Sequence, residues 1–226
     1  MKTFNQTLIK LPKLKQINEE SGRRYVKDQD MFGVSYPSIT TILSSLNKDH
    51  IIAWRKRVGE EEANKVMRQA SRRGTKTHLM VEDYIQNKGI PEAMPNEMNL
   101  FLQLKTMVDQ HLDNVAVIEG GMMSDHLRAA GTVDCIAEWD GQMSIIDWKT
   151  SKKPKRRDWI KNYFMQAAAY AVMFEENTDI PVRQLVIAMA CEDGESRLYI
   201  EDRDTWIDEF IKVRDQYEKS QKVLAR

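Results

Sequence analysis

Asp140-Gly141 lies inside the segment AGTVDCIAEWDGQMSIIDWKT, Ala130 to Thr150, and no other dipeptide constrains the chain as much. A two-residue type I′ hairpin turn needs positive φ at both central positions, which Asp-Gly accepts and most pairs do not. With that turn, Trp139 faces Gln142. Counting outward then puts Asp134 opposite Asp147 and Thr132 opposite Lys149. Directly opposite residues have Cβ atoms about 4.5–5.5 Å apart, and like charges there are destabilising. Ile145, Ile146 and Trp148 flank Asp147, so this strand reads as buried on at least one face. Charges in such surroundings are rarely left unpaired. A divalent cation is a natural compensation, because hard cations take carboxylate oxygens. Lys149 follows Asp147 by two residues and shares its face. A salt-bridged solvent face is the plainer account of the same residues, and the hairpin alone leaves both open.

The chain has 226 residues, enough for one large domain or two small ones. Hydrophobic residues make up 42% and charged ones 30%, the balance of an ordinary globular protein. Lys+Arg and Asp+Glu are 34 each, so any basic surface for a polyanion must be local. Two cysteines, Cys135 and Cys191, are too few for a thiolate metal cluster or a disulfide framework. No apolar run is long enough to span a membrane and no signal-peptide pattern is present. The opening MKTFNQTLIKLPKLKQ is acid-poor but lacks the arginines of a transit peptide, so a solvated basic arm is expected.

Along the chain, RRYVKDQDMFGVSYPSIT reads as a small hairpin around Asp28-Gln29-Asp30 and Gly33. Ser38 caps a helix holding Ile39, Ile42, Leu43 and Leu46. A second helix starts near Asp49 and is interrupted at Gly59. A long one runs from Glu60 to about Asn87, ended by Lys88-Gly89 and Pro91. Pro95 opens another, with Leu100, Leu104, Val108 and Leu112 at helical spacing. Val115–Met123 reads as a strand, and the hairpin supplies two more. Asp158 is placed to cap the helix DWIKNYFMQAAAYAVMFEE. Gln184–Cys191 and Ser196–Ile200 read as strands around Gly194, and a final amphipathic helix begins at Asp204. The order predicts an α/β (α+β) core with a mixed sheet and an added helical N-terminal part.

His78 and Glu82 share a helix face, four residues apart, just after Arg72-Arg73-Gly74. A lone helical histidine is usually a packed or surface residue. Gln166 and Tyr170 are also four apart, among Ala167, Ala168, Ala169 and Ala171, and a border role beside the core explains them equally well. Lys152, Lys153, Lys155, Arg156 and Arg157 follow the Asp147–Lys149 strand directly. Such a run is usually a solvated loop, but beside a metal it suits a phosphodiester substrate. Trp139, Trp148 and Trp159 read as core residues with no stacking role.

These pieces together resemble the PD-(D/E)XK nuclease superfamily, in particular its RecB-type exonuclease branch. The matching elements occur in family order: RGTKTH with Glu82, Gly131-x-x-Asp134, Asp147-Trp148-Lys149-Thr150, and Gln166-x-x-x-Tyr170. Upstream, YPSITTIL and AWRKRVGEEEAN are similar to the mitochondrial genome maintenance exonuclease group and related phage exonucleases. The resemblance implies a restriction-endonuclease-like core with a central mixed sheet flanked by helices. It implies one nuclease domain over residues 1–226, with 1–60 as arm and helical extension and 61–226 as core.

By the same resemblance, His78, Asp134, Asp147 and the Trp148 carbonyl would ligate Mg²⁺ or Mn²⁺, with Glu82 as support or further ligand. Lys149 would orient or deprotonate the attacking water. Gln166 and Tyr170 would hold the site and the nucleic-acid backbone. Arg72, Arg73, Lys152, Lys153, Arg156 and Arg157 would bind nucleic acid. The iron–sulfur relatives use four cysteines that this chain lacks, so no such cluster is expected. The implied activity is a metal-dependent DNA exonuclease, acting from free single-stranded ends in replication, recombination or repair, beside replication or recombination proteins and not at a membrane. A duplex-specific exonuclease or endonuclease, and a DNA-binding module without turnover, stay open as alternatives. A cytoplasmic setting, bacterial or phage-encoded, is expected over a mitochondrial one.

Overall fold

In the computed structural model, which describes residues 2–27, 33–90 and 92–224, Asp140 and Gly141 both take positive φ, 52° and 76°. The strands they join are β5 (Ala129–Trp139) and β6 (Gln142–Ser151), and Trp139 pairs with Gln142 as counted. The turn is also held from outside. The Asp140 N–H donates to the His111 carbonyl at 2.9 Å. The His111 ring lies 2.8 Å from the Asp140 carboxylate and stacks on Trp139 at 5.3 Å.

Five strands form the central sheet in the order β4-β5-β6-β7-β8, where β4 is Leu112–Ser124, β7 Gln184–Cys191 and β8 Arg197–Asp202. All pairs are antiparallel except β6 and β7, which run parallel. A parallel pair needs a crossover, and α5 (Lys161–Thr178) supplies it. Alternation splits the apolar residues between two layers. Ile145, Leu185, Ile187 and Met189 pack with α5, α1 (Ile39–Ser44) and α6 (Arg203–Leu224). Ile146, Trp148, Val186 and Ala188 pack with α3 (Glu60–Ile85) and α4 (Pro95–His111). Asp147 and Lys149 share the parity of Ile145, so they face the α5 layer.

Between α1 and α3, α2 (Lys48–Val58) has no buried residue, and Gly59 at φ 89° separates it from α3. Arg55 reaches across that break to Glu60 and to Asn64. Ser38 caps α1 as its residue type predicts: its Oγ accepts the Thr41 N–H at 2.9 Å in a buried setting. Ser38→Ala should therefore cost about 1 kcal/mol. The measurement is a lowered denaturant midpoint at unchanged slope, and an unmoved midpoint would deny the cap any energetic role.

Several expectations are corrected. The N-terminal arm is not free in solvent. Phe4 is buried, and Asn5, Thr7 and Ile9 exchange backbone hydrogen bonds with Val115 and Ala116 on the edge of β4. A second, three-stranded sheet follows, with β1 (Leu14–Glu19) pairing β2 (Gly22–Lys27) and β2 pairing β3 (Tyr36–Pro37). The expected turn at Asp28-Gln29-Asp30 lies outside the described residues. Asp158 does not cap α5. It sits inside a one-turn 3₁₀ segment, Arg157–Trp159, and α5 starts after Ile160 with no side-chain cap. Trp139 and Trp148 are core residues, but Trp159 is 67% exposed.

Candidate active site

The β5–β6 ladder runs from Trp139↔Gln142 to Cys135↔Ile146, and Asp134 and Asp147 come next in that register. No ladder pair forms there. The Asp134 Oδ2 accepts the Trp148 N–H at 3.0 Å instead, so a side chain takes the donor at the point where the two acids would face each other. Asp147 is 2% exposed. Its Oδ2 lies 2.5 Å from the Lys149 ammonium, an ion pair whose angles leave that oxygen without a directed hydrogen bond. Burial and the neighbouring Asp134 raise the Asp147 carboxyl above its ordinary range, against the pull of Lys149. Burial also disfavours charge on Lys149, but Asp147 and Asp134 outweigh it and hold the ammonium above the usual lysine range. Lys149 also stands 4.8 Å from the Tyr163 ring centre.

His78 comes to Asp134 from α3, with Nδ1 3.4 Å from Oδ2. A third group completes this cluster, and the sequence reading passed over it. Ligand atoms of His78, Glu119 and Asp134 all lie within 4.8 Å of one another. Two register shifts in β4, at Asp113/Val115 and Val115/Val117, slide the strand so that Glu119 falls between Ile118↔Cys135 and Gly120↔Val133, opposite Asp134. Glu119 itself takes φ 49°, a region that costs a non-glycine residue energy and is enriched at functional sites. Glu119, Asp134 and Asp147 thus form a row across three adjacent strands. Asp147 stays with Lys149 and is not part of the three-residue cluster.

The remaining expected residues divide. Glu82 lines the same cavity, of about 480 Å³, together with Gln166, Tyr170, Thr75 and Gln16. Its carboxylate accepts the Gln86 amide at 3.0 Å. Gln166 and Tyr170 are buried at the cavity floor. Burial, then Asp134 and Asp147, push the Tyr170 phenol well above its usual range, so it stays neutral. A Cβ on Gly131 would meet the Tyr170 hydroxyl at 2.8 Å, which explains the glycine three residues before Asp134. Of the basic residues, Arg73 is committed to Glu192 and Arg157 to Glu201, while Arg72, Lys152 and Lys153 are exposed. Arg156 is exposed and 3.4 Å from Asp158.

Glu119 gives the cluster a pH signature. Burial first, then Asp134 and Glu82, push its carboxyl up to about 7 from 4.5, although the residue opens to solvent at the cavity mouth. In chelator the folded protein therefore holds this proton across a window where the unfolded chain has released it. Stability should fall as pH rises from about 4.5 to about 7 and stay reduced above it. Melting curves of wild type and Glu119→Gln across that window measure this. The variant should gain on the wild type as pH rises, and a constant difference would mean an ordinary carboxyl.

An imidazole nitrogen and two carboxylate oxygens make a donor set that fits a divalent cation. The crowding of Glu119, Asp134 and Asp147 fits one as well. Comparison with known proteins gives the family. The sequence pattern of the PD-(D/E)XK nuclease superfamily matches residues 55–222. The chain is similar to Mitochondrial genome maintenance exonuclease 1 of Xenopus tropicalis, 27% identical over 211 residues, covering 82% of this chain and 60% of that protein. The Homo sapiens protein of the same name is 25% identical over 173 residues, covering 70% of this chain and 50% of its own length. The chain thus spans little more than half the length of these relatives. A solved protein from Eubacterium rectale, provisionally designated an exonuclease, overlays with a TM-score of 0.38 at 11% identity, covering 64% of this chain and 68% of that one. The mitochondrial names of both relatives overturn the expected cytoplasmic setting, bacterial or phage-encoded.

Proposed function

The chain belongs to the PD-(D/E)XK nuclease superfamily, and on that premise we propose that it is a divalent-metal-dependent DNA exonuclease that hydrolyses phosphodiester bonds from free single-stranded ends. The observation that carries the reading is the row of Glu119, Asp134 and Asp147 on adjacent strands, met by His78 on one side and Lys149 on the other. So much negative charge on one spot is costly without a cation.

In this reading His78, Glu119 and Asp134 hold Mg²⁺ or Mn²⁺, with Asp147 beside them. The bound metal supplies an activated water and neutralises charge on the phosphate. The chain's own residues do the rest. Asp134 is fixed by the Trp148 N–H, so its second oxygen has a set direction. Lys149 is a cation at neutral pH, held by Asp147. This favours orientation of the attacking water and stabilisation of phosphoryl charge over deprotonation. Gln166 and the neutral Tyr170 line the floor and present hydrogen-bonding groups to the strand. Support for a single-stranded substrate is drawn from α2, which has no buried residue, and from the Gly59 break ahead of α3, since a helical segment free of the core suits a flexible strand better than a duplex.

The test uses end-labelled linear single-stranded DNA, linear duplex and covalently closed single-stranded circles, each with Mg²⁺, with Mn²⁺ and with chelator. Loss of the linear single strand alone, only with metal, is the expected result. Cutting of circles would make the protein an endonuclease, faster loss of duplex would reverse the strand preference, and no cutting of any substrate would leave a DNA-binding module.

A further inference from the structure

Four of the five tryptophans are buried or half-buried, and one is not. Trp139, Trp148 and Trp206 lie in the core and Trp54 is half-buried, whereas Trp159 is 67% exposed. An indole is among the costliest side chains to leave in water, so this exposure asks for a reason. Trp159 closes the one-turn 3₁₀ segment that joins β6, which carries Asp147 and Lys149, to α5, which carries Gln166 and Tyr170.

Its surroundings are basic and tied to the active site. The Arg156 guanidinium lies 5.9 Å from the Trp159 ring centre. Arg156 is held otherwise by Asp158 at 3.4 Å, with both side chains largely exposed, a pairing worth little in water. Lys152 and Lys153 are exposed on the same loop and make no ion pair among the described residues. Lys155 donates to the Tyr163 hydroxyl at 3.1 Å, and the ring of Tyr163 is the one that Lys149 approaches. An aromatic face with a guanidinium beside it, on the loop that follows Lys149, is what a single strand needs: a π surface for a base and charges for the flanking phosphates.

We propose that Trp159 is a stacking platform for an unpaired base of the DNA strand, with Lys152, Lys153 and Arg156 holding the phosphates on either side. This rests on the nuclease reading above and adds to it the residue that makes the site favour an unpaired strand. Stacking tolerates any base, so the platform confers strand form and no sequence preference.

The test is binding in chelator, where no cleavage occurs. Oligothymidylate should quench the tryptophan fluorescence of the wild type. Trp159→Phe should keep the affinity and lose most of the quench. Trp159→Ala should bind the oligonucleotide roughly 5- to 150-fold more weakly, the range of one base–aromatic stack. The melting temperature should not change, because the side chain is exposed. An abasic strand of equal length and a blunt duplex should bind wild type and Trp159→Ala alike. Equal affinity of Trp159→Ala and wild type for oligothymidylate would overturn the platform. So would a quench that survives in Trp159→Phe, which would then belong to Trp54, or an equal loss on the abasic strand. A protein that passes these binding arms but cuts no DNA with metal would refute the nuclease reading alone.

Discussion

Asp134→Asn should abolish metal-dependent DNA hydrolysis in a protein that melts no lower than the wild type. The two halves of this result come from different atoms. Asparagine keeps a carbonyl oxygen where Asp134 accepts the Trp148 N–H, so the backbone donor at the parting of β5 and β6 stays satisfied. What is lost is one charge of three. Asp134 raises the carboxyls of both Glu119 and Asp147, so removing it relieves the folded state. The same charge is what the proposed cation uses. Losing a single preorganised electrostatic group lowers turnover by about 10²–10³, and loss of a ligand adds to that. The measurements are cleavage of labelled linear single strands in Mg²⁺ and Mn²⁺ and melting in chelator. Near-normal turnover would remove Asp134 from the metal site, and a drop of several degrees would mean that its charge supports the fold. Asp147→Ala is the contrasting variant. It leaves the Lys149 ammonium, only 18% exposed, without its partner, and it should be both inactive and less stable.

Most of the core was legible because its punctuation is local. Asp140-Gly141, Gly59, Pro95 and Ser38 each carry a backbone requirement that few residue types meet, and each stands at the element end it marks. From the turn, arithmetic alone reaches Asp134 and Asp147. Features held by non-local backbone pairing were not legible. The arm docks on β4 through main-chain groups of Asn5, Thr7 and Ile9, which leave no trace in side-chain pattern. β1 has burial at every third position in place of strict alternation, so its period did not read as a strand. Glu119 was hidden by two register shifts that no residue upstream announces. The available signal was Gly120-Gly121 just after it, since glycines inside a strand mark a bulge or a close approach. A Cβ on Gly120 would in fact collide with the Val117 side chain, and one on Gly121 would meet Leu14 at 3.1 Å. Trp148 and Trp159 look alike as letters. Their flanks differ, with Ile145 and Ile146 before one and Arg156, Arg157 and Asp158 before the other, and that difference was the readable clue to exposure.

Lys149→Met should lower the rate of the chemical step by about 10²–10³ while DNA affinity changes little. Methionine keeps an apolar stem of similar reach and deletes the charge. In the wild type that charge is permanent over the working pH range. Burial opposes it, but Asp147 at 2.5 Å and Asp134 nearby hold the ammonium above the usual lysine range. On the proposed mechanism a fixed cation whose side chain is only 18% exposed acts on phosphoryl charge, so its loss is felt mainly where charge builds up, in the transition state. Affinity in chelator should persist because Lys152, Lys153 and Arg156 remain on the loop that follows. Single-turnover rates against dissociation constants separate the two effects. Equal losses in rate and binding would reduce Lys149 to a phosphate contact. The pH profile separates the two chemical roles. With a fixed cation, Lys149 contributes no limb to the rate between about pH 7 and 10. A wild-type rate that climbs tenfold per unit all the way to lysine deprotonation, absent in Lys149→Met, would make the neutral amine the active form and Lys149 the base that takes the proton from water.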